Sequence, residues 1–443
     1  MSENNNLNEV EPNEKELQLD NKKTILSWSF YDWANSAFAT TVMAGFFPAF
    51  FRQFWAGGVI TDLEITTYLG LVNSISSIII VILAPFLGTV ADQMSGKKKF
   101  LFTFALLGIL STGLLFIVAS GFWLFALVLY LLGALGFSGA NIFYDALLPS
   151  VASEKKIDYV SSLGFSLGYI GGGLLFLVNV IMVFLMEDTN LAIKLSFISV
   201  AIWWAVFSIP IMLFVKEPKT EGTDIGLGKA FILGWKQLYS TLKKIRHLKY
   251  VGLFLLGYWF YIDGVDTIIR MAVEYGGSLF QDDASATNAL MAALLLTQFV
   301  AFPGTMLFNK YAEKVGIKNG ILTAIGAYIV ITVLGFFMNE IWHFFVLAFL
   351  IGCFQGGIQA LSRSLYSRLI PKEQSAEYYG FFNMLGKFAA VIGPLLMVGV
   401  TNITGDIRYG ILSLVILFVI GGILLFFVNI EKGEQMAKEF LSN

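Results

Sequence analysis

Runs of roughly 20 apolar residues follow one another along this chain, parted by short polar breaks, and that is the length at which a helix crosses the hydrocarbon core of a bilayer. They read as spans at about 28–54, 66–91, 99–119, 122–149, 158–186, 191–215, 249–273, 285–309, 319–338, 341–369, 376–400 and 408–430. With 57% of its 443 residues hydrophobic and only 14% charged, the chain has too little polar surface to cover a soluble globule. The expectation is an all-α membrane protein of twelve transmembrane helices.

Lys22-Lys23, Lys97–Lys99, Lys155-Lys156, the lysines between Lys216 and Lys249, Lys310/Lys314/Lys318, Arg368/Lys372 and Lys432/Lys438 fall in alternate connections. The intervening connections carry Asp62, Glu64, Glu187, Asp188, Asp282, Asp283 and Glu340, and only Lys194 and Arg408 break the alternation. The positive-inside rule then puts both termini in the cytoplasm and makes the number of spans even. Residues 1–26 form a polar tail, acidic up to Asp20 and expected to be disordered, without the apolar core of a signal peptide. The organisation that follows is 27–215 as a first six-span half, 216–248 as a cytoplasmic linker, 249–430 as a second half and 431–443 as a cytoplasmic tail. In the linker Phe231, Leu238, Leu242 and Ile245 recur at helical spacing beside Lys229, Lys236 and Lys243, the pattern of an amphipathic helix on an anionic leaflet.

Several chemistries are excluded by what the chain lacks. A net charge of −2 argues against nucleic acid. One cysteine, Cys353, and two distant histidines, His247 and His343, leave no disulfide, metal centre or histidine-based catalysis. No Gly-x-x-x-x-Gly-Lys-Ser/Thr occurs, so an ATP-driven pump is excluded, and no nucleophile motif suggests an enzyme. No cofactor is expected.

The two halves repeat. Pro149 after Leu147-Leu148 is matched 222 positions later by Pro371 after Leu369-Ile370, and Leu163-Gly164 and Ile170-Gly171 by Leu385-Gly386 and Ile392-Gly393. Parallel six-plus-six repeats are the architecture of secondary transporters that work by alternating access. Gly88-x-x-x-Asp92 followed by Lys97-Lys98 resembles motif A of the major facilitator superfamily, although Ser95 stands where a glycine is expected. Asp92 is placed to meet a neighbouring helix N-terminus, and the lysines to hold the loop at the anionic membrane face. The counterpart in the second half, Asn309 to Glu313, departs further from the pattern.

Longer segments carry a closer resemblance: Phe30-Tyr-Asp-Trp-Ala-Asn-Ser-Ala-Phe-Ala-Thr40, Asn141-Ile-Phe-Tyr-Asp-Ala-Leu-Leu-Pro149, Ser161 to Gly173, Tyr261-Ile-Asp-Gly-Val-Asp-Thr-Ile-Ile269 and Gln355-Gly-Gly-Ile-Gln-Ala-Leu-Ser-Arg-Ser364, with Ile370-Pro, Glu377 and Gly393-Pro394. Together, over about 27–430, they resemble the major facilitator branch that includes the fungal vacuolar amino-acid effluxers and bacterial relatives. The resemblance implies the two-half facilitator fold, a monomer in a bacterial plasma membrane, and a cavity lined by spans one, four, seven and ten.

Polar residues fall largely on those spans. Asp32 and Asn35, with Tyr31 beside them, lie on the first, and Asn141 and Asp145 are one turn apart on the fourth. Tyr261, Asp263, Asp266 and Arg270 lie on the seventh, and Gln355, Gln359 and Arg363 share a stripe of the tenth. An acid within a membrane marks a functional site by default. Tyr31, Asp32, Asn35, Asn141, Asp145, Tyr261, Gln355, Gln359 and Arg363 are candidates for a substrate contact or an inward gate, with Asp32 or Asp145 and Arg363 as the gate pair. Asp263, roughly 20 Å into its span, and Lys387, about 16 Å into the eleventh, are candidate coupling residues expected to pair, while Asp266 and Arg270 suit a structural ion pair. Gly164, Gly168 and Gly172 read as a helix-packing face, and Tyr31, Trp33 and Tyr261 as packing aromatics. The lack of a span-four arginine, with Asn141 at the position equivalent to Arg363, departs from proton-antiporter patterns. The expected function is secondary transport of a small polar or zwitterionic solute such as an amino acid, by export and with protons as the coupling ion. The alternatives are efflux of amphipathic or lipid-linked compounds, or a non-transporting receptor or scaffold on the same fold.

Overall fold

The computed structural model describes residues 19–94, 96–217, 232–233, 235–236, 239, 248–280 and 286–439, and among these it is entirely helical. α1 begins with Lys22–Ala37, where Asn21 Oδ1 accepts the N–H groups of Lys23 and Thr24. It widens to a π-helix over Phe38–Phe46, returns to an α-turn at Phe47–Phe50, and widens again over Phe51–Trp55. Pro48 has no N–H to give, and its ring crowds the carbonyl four residues back, which accounts for a break at this level.

The rods that follow are α2 (Asp62–Gln93), α3 (Lys97–Leu114), α4 (Trp123–Val151), α5 (Ile157–Leu185), α6 (Thr189–Phe214), α7 (Lys249–Leu279), α8 (Ala286–Val315), α9 (Ile317–Phe336), α10 (Ile341–Leu369) and α11 (Ser375–Thr404). α12 is made of Ile407–Ser413 and Val415–Phe426. Among the described residues, ten of these, α2 to α10 and α12, are long and apolar enough to cross a membrane by length and composition. The other two, α1 with its π-turns and α11 with Pro394, complete the expected twelve.

Two ends differ from the sequence expectation. The chain is helical from Lys22, so the last residues of the expected N-terminal tail belong to α1. Most of the expected C-terminal tail is a helix, α13 (Ile430–Glu439), with Gly433 seated against Leu369. The expected disordered residues 1–18 and the amphipathic linker helix, Lys236 apart, lie outside the described residues, as does His247.

Both ends of the described chain lie on one face, the termini face. Asp20 donates its N–H to Val151 O and accepts from the Ser153 N–H (3.0 Å) and hydroxyl (2.7 Å), while Lys438 of α13 lies 3.9 Å from Glu154. Between lipid-immersed helices there is no water to expel, so close packing and small residues hold them together. The glycine face expected on α5 is there: Gly164 lies against Trp28, Gly168 against Ser36 and Gly172 against Thr40, all on α1. The outward surface is apolar, with Leu185 79% and Ile403 86% exposed. The two halves join chiefly where α2 packs on α11 and α5 on α8.

Candidate functional site

Arg363, near the termini end of α10, is the centre of a buried ionic cluster that joins the halves. Its Nη1 lies 3.1 Å from Asp145 on α4 and 3.5 Å from Asp32 on α1. Its Nε donates to the Ser161 hydroxyl (2.9 Å) and its Nη2 to the Ser161 carbonyl (2.8 Å), both on α5. The guanidinium lies over Phe165, 4.1 Å from the ring centre, with Trp28 and Tyr144 flanking it. Tyr144 donates its hydroxyl to Asp32 (3.1 Å), and Asn383 of α11 donates to Asp145 (3.2 Å). Every donor of the arginine thus faces the opposite half. When all three side chains are ionised, two carboxylates face one guanidinium, which leaves one negative charge in excess.

Towards the membrane centre the expected polar residues pair in turn. Asn35 donates to Asn141, Tyr169 donates to Gln359, and the Tyr261 and Ser362 hydroxyls lie 2.7 Å apart. Gln298 of α8 donates to Thr40 in the π-helical part of α1 (3.2 Å), a further bond between halves. Tyr31 is fully buried against the Tyr144 ring, and Trp33 stacks on Trp203. Ser161, Tyr169, Gln298 and Asn383 are the site residues that sequence reasoning passed over. Serines, tyrosines and amides of this kind occur throughout membrane helices and carry no motif of their own.

At the termini face Asp92 stands at the N-terminus of a neighbouring helix. Its carboxylate accepts the N–H groups of Ala376 (3.2 Å) and Glu377 (2.8 Å), the free donors at the start of α11. The lysines differ from expectation, because neither holds a loop at the lipid surface. Lys97 is buried, 3.0 Å from Asp92 and 2.7 Å from the Ser375 hydroxyl. Lys98 donates to the carbonyls of Met212 and Val215 at the end of α6. Glu217 accepts the N–H groups of Lys97 and Lys98, capping α3, and burial pushes its carboxyl up from the ordinary value. A Cβ on Gly88 would stand 2.1 Å from the Ala376 carbonyl oxygen, and one on Gly380 2.5 Å from that of Ala84, so these two glycines set the distance between α2 and α11. The second-half counterpart is weaker: Glu313 is exposed and accepts from Asn309 on its own helix, while Asn309 accepts from Ser162.

Two further ion pairs flank this seal, the part-buried Arg368 2.7 Å from Asp158 and the more exposed Lys372 3.3 Å from Glu154. Burial opposes ionisation of Glu154, but the charge and hydrogen bond of Lys372 outweigh it and hold the carboxyl below its usual range.

Asp263 on α7 is buried, and one carboxylate oxygen accepts the Gly393 N–H (2.9 Å) and the Thr267 hydroxyl (3.3 Å). Gly393 precedes Pro394, which lies inside the continuous helix α11, so the acid ties α7 to the backbone of α11 beside a proline. The other oxygen has no hydrogen-bond partner among the described residues. The Lys387 side chain, the expected partner, lies outside what is described. Asp266 is half-buried, and Arg270 is exposed one turn further out.

Two six-helix halves, sealed by ion pairs and helix caps on one face, make this multi-pass membrane protein a transporter of the major facilitator class. The fold is shared with the human organic anion transporter MFSD10 (TETRAN), at a TM-score of 0.68 and 14% identity over 91% of this chain and 99% of that one. It is equally shared with the proton:xylose symporter XylE, at 0.68 and 15% identity over 95% and 97%. Within the class, the vacuole effluxer Atg22-like family matches residues 56–438, and the chain belongs to that family. It is 39% identical to the uncharacterised MFS-type transporter YxiO of Bacillus subtilis, over 93% of this chain and 96% of that protein. Autophagy-related protein 22 of Vanderwaltozyma polyspora is 23% identical over 94% and 93%. That of Yarrowia lipolytica is 27% identical over 68% of this chain, which spans 56% of its length.

Proposed function

We propose that this protein exports a small zwitterionic solute, such as an amino acid, across a bacterial plasma membrane by alternating access, with both termini in the cytoplasm. The observation that carries the reading is the division of charge in the Asp32–Arg363–Asp145 cluster. The carboxylates belong to one half and the guanidinium to the other, so opening the termini face bares an acid and a base on opposite walls. A zwitterion presents an ammonium group and a carboxylate together. It therefore replaces both partners of the broken pair, which lowers the cost of separating buried charges. The alternating basic connections support the cytoplasmic placement of the sealed face.

Asp263 is the proposed proton-coupling residue. It is an intramembrane acid tied to the backbone of α11 beside Pro394, so a change in its charge acts directly on the contact between α7 and α11. The test is efflux of radiolabelled amino acids from proteoliposomes that hold the purified protein. Loss of label faster than from protein-free vesicles, and slowed by Arg363→Ala, is the expected result. Equal rates for every amino acid, with and without a pH gradient, would overturn the proposal.

A further inference from the structure

A second cavity lies wholly within the second half, towards the face opposite the termini. Its free volume is about 80 Å³, between α7, α8, α9, α10 and α12. That is several times the roughly 10–15 Å³ that one water molecule needs. Its wall is aliphatic and aromatic, with Ile268, Leu294, Phe344 and Ile351 among the lining side chains, and no lining residue is charged. A zwitterion or an anion would have to give up its hydration here with no opposite charge to meet.

The polar groups of the wall are almost all spent on the protein itself. The Tyr275 hydroxyl donates to Gly335 O, Thr332 to Tyr328 O, and Thr297 lies within reach of the Ala293 and Ala348 carbonyls. Gln298 gives its amide N–H to Thr40 in the opposite half. One fully buried acceptor of the wall stands apart. Gln355 is 7% exposed, lines the cavity, and its Oε1 has no hydrogen-bond partner among the described residues. Tyr169, which also approaches it, places its hydroxyl proton on Gln359. A buried amide oxygen without a donor is costly, so the wall is complementary to a molecule that brings one.

We propose that this cavity binds a neutral amphipathic molecule, with an apolar body among Ile268, Leu294, Phe344 and Ile351 and a single O–H or N–H donated to Gln355 Oε1. The site is separate from the ionic gate and takes a different chemical class. It also abuts the bond between halves, because Gln298 is at once part of its wall and the partner of Thr40.

The test is photolabelling of the full-length protein in phosphatidylcholine nanodiscs with 3-azioctanol, followed by mass-spectrometric mapping. It reads binding alone, so its outcome is independent of whether any amino acid is transported. Adducts are expected on the cavity-lining segments of α7 and α10, with protection by excess 1-octanol. Octyl methyl ether has the same chain but no donor, and should protect about five- to tenfold less well, as expected for one lost hydrogen bond. In Gln355→Leu the two competitors should become equal. Ala348→Trp, which fills the cavity, should abolish the adducts while elution and thermal melting stay unchanged. Adducts spread evenly over lipid-facing residues such as Leu307 and Ile423 would overturn the proposal. So would equal protection by alcohol and ether in the unsubstituted protein, which would mean that water alone serves Gln355.

Discussion

Arg363 of α10 and Asp145 of α4 meet at 3.1 Å across the joint between the halves, and Asp32 of α1 stands 3.5 Å from the same guanidinium nitrogen. The closed face therefore depends on charges that are expensive to bury singly. Removing one partner of a buried pair costs about 3–5 kcal/mol, because the other charge is left without compensation. Arg363→Ala should accordingly shift the protein towards a state open at the termini face. Spin labels on exposed Lys155 and Glu373, in a Cys353→Ala background, should report a longer mean distance. Arg363→Lys should fall between, since an ammonium cannot serve Ser161, Asp145 and Asp32 in the planar geometry seen here. An unchanged distance distribution in Arg363→Ala would remove the gate from the cluster.

The flanking pairs should behave differently. Glu154 is half-exposed, as is Lys372, so their pair is worth no more than about 1 kcal/mol and is screened by salt. Its carboxyl is held below the usual range, so the group contributes above the unfolded value of about 4.5, and the contribution is lost as pH falls through the lower folded value. The effect of Glu154→Gln on the label distance or on thermal melting should therefore be small and constant from pH 6 to 8. It should vanish in acid. A large effect, or one that changes near neutrality, would contradict this assignment.

Gly88 and Gly380 test the seal by size. Alanine at Gly88 places a methyl 2.1 Å from a backbone oxygen of α11, which only a shift of the helix can relieve. Overpacking of this kind costs about 1–3 kcal/mol. Because the strain exists only where α2 and α11 touch, Gly88→Ala and Gly380→Ala should favour the open face and slow transport, with insertion into the membrane unaffected. Gly70 has open space around it, so Gly70→Ala serves as the neutral control.

Much of this arrangement was legible in the sequence, for physical reasons that particular residues show. The twelve spans follow from apolar run length, and the stripe Gln355–Gln359–Arg363 from helical period, so the gate could be assembled once α1, α4 and α10 were set around one cavity. Asp92 was legible too, because its role depends on a helix end that Pro371 announces. Lys97 and Lys98 were misleading: a lysine cluster beside a span reads as a lipid-facing anchor, and only packing reveals that one is buried against Asp92 and the other caps α6. The π-helical stretch of α1 could not be read, since Phe38–Phe46 has the composition of any membrane helix. The partner of Asp263 was hidden for another reason. The partner seen is the backbone N–H of Gly393, which side-chain pairing rules do not see.

That backbone partner gives Asp263 a discriminating pair of substitutions. Asparagine keeps an oxygen that accepts the Gly393 N–H, so Asp263→Asn should preserve the joint between α7 and α11 while removing the titrating charge. Leucine removes both, and a hydrogen bond to a charged group is worth about 1.5–3 kcal/mol. Asp263→Leu should lower the melting temperature, whereas Asp263→Asn should not. In vesicles Asp263→Asn should still exchange labelled for unlabelled solute at equal concentrations, because exchange needs no net proton movement. Accumulation against a concentration difference driven by a pH gradient should be lost. If Asp263→Asn accumulates solute with an unchanged pH profile, the acid is a structural tie between α7 and α11 and the coupling proton travels elsewhere.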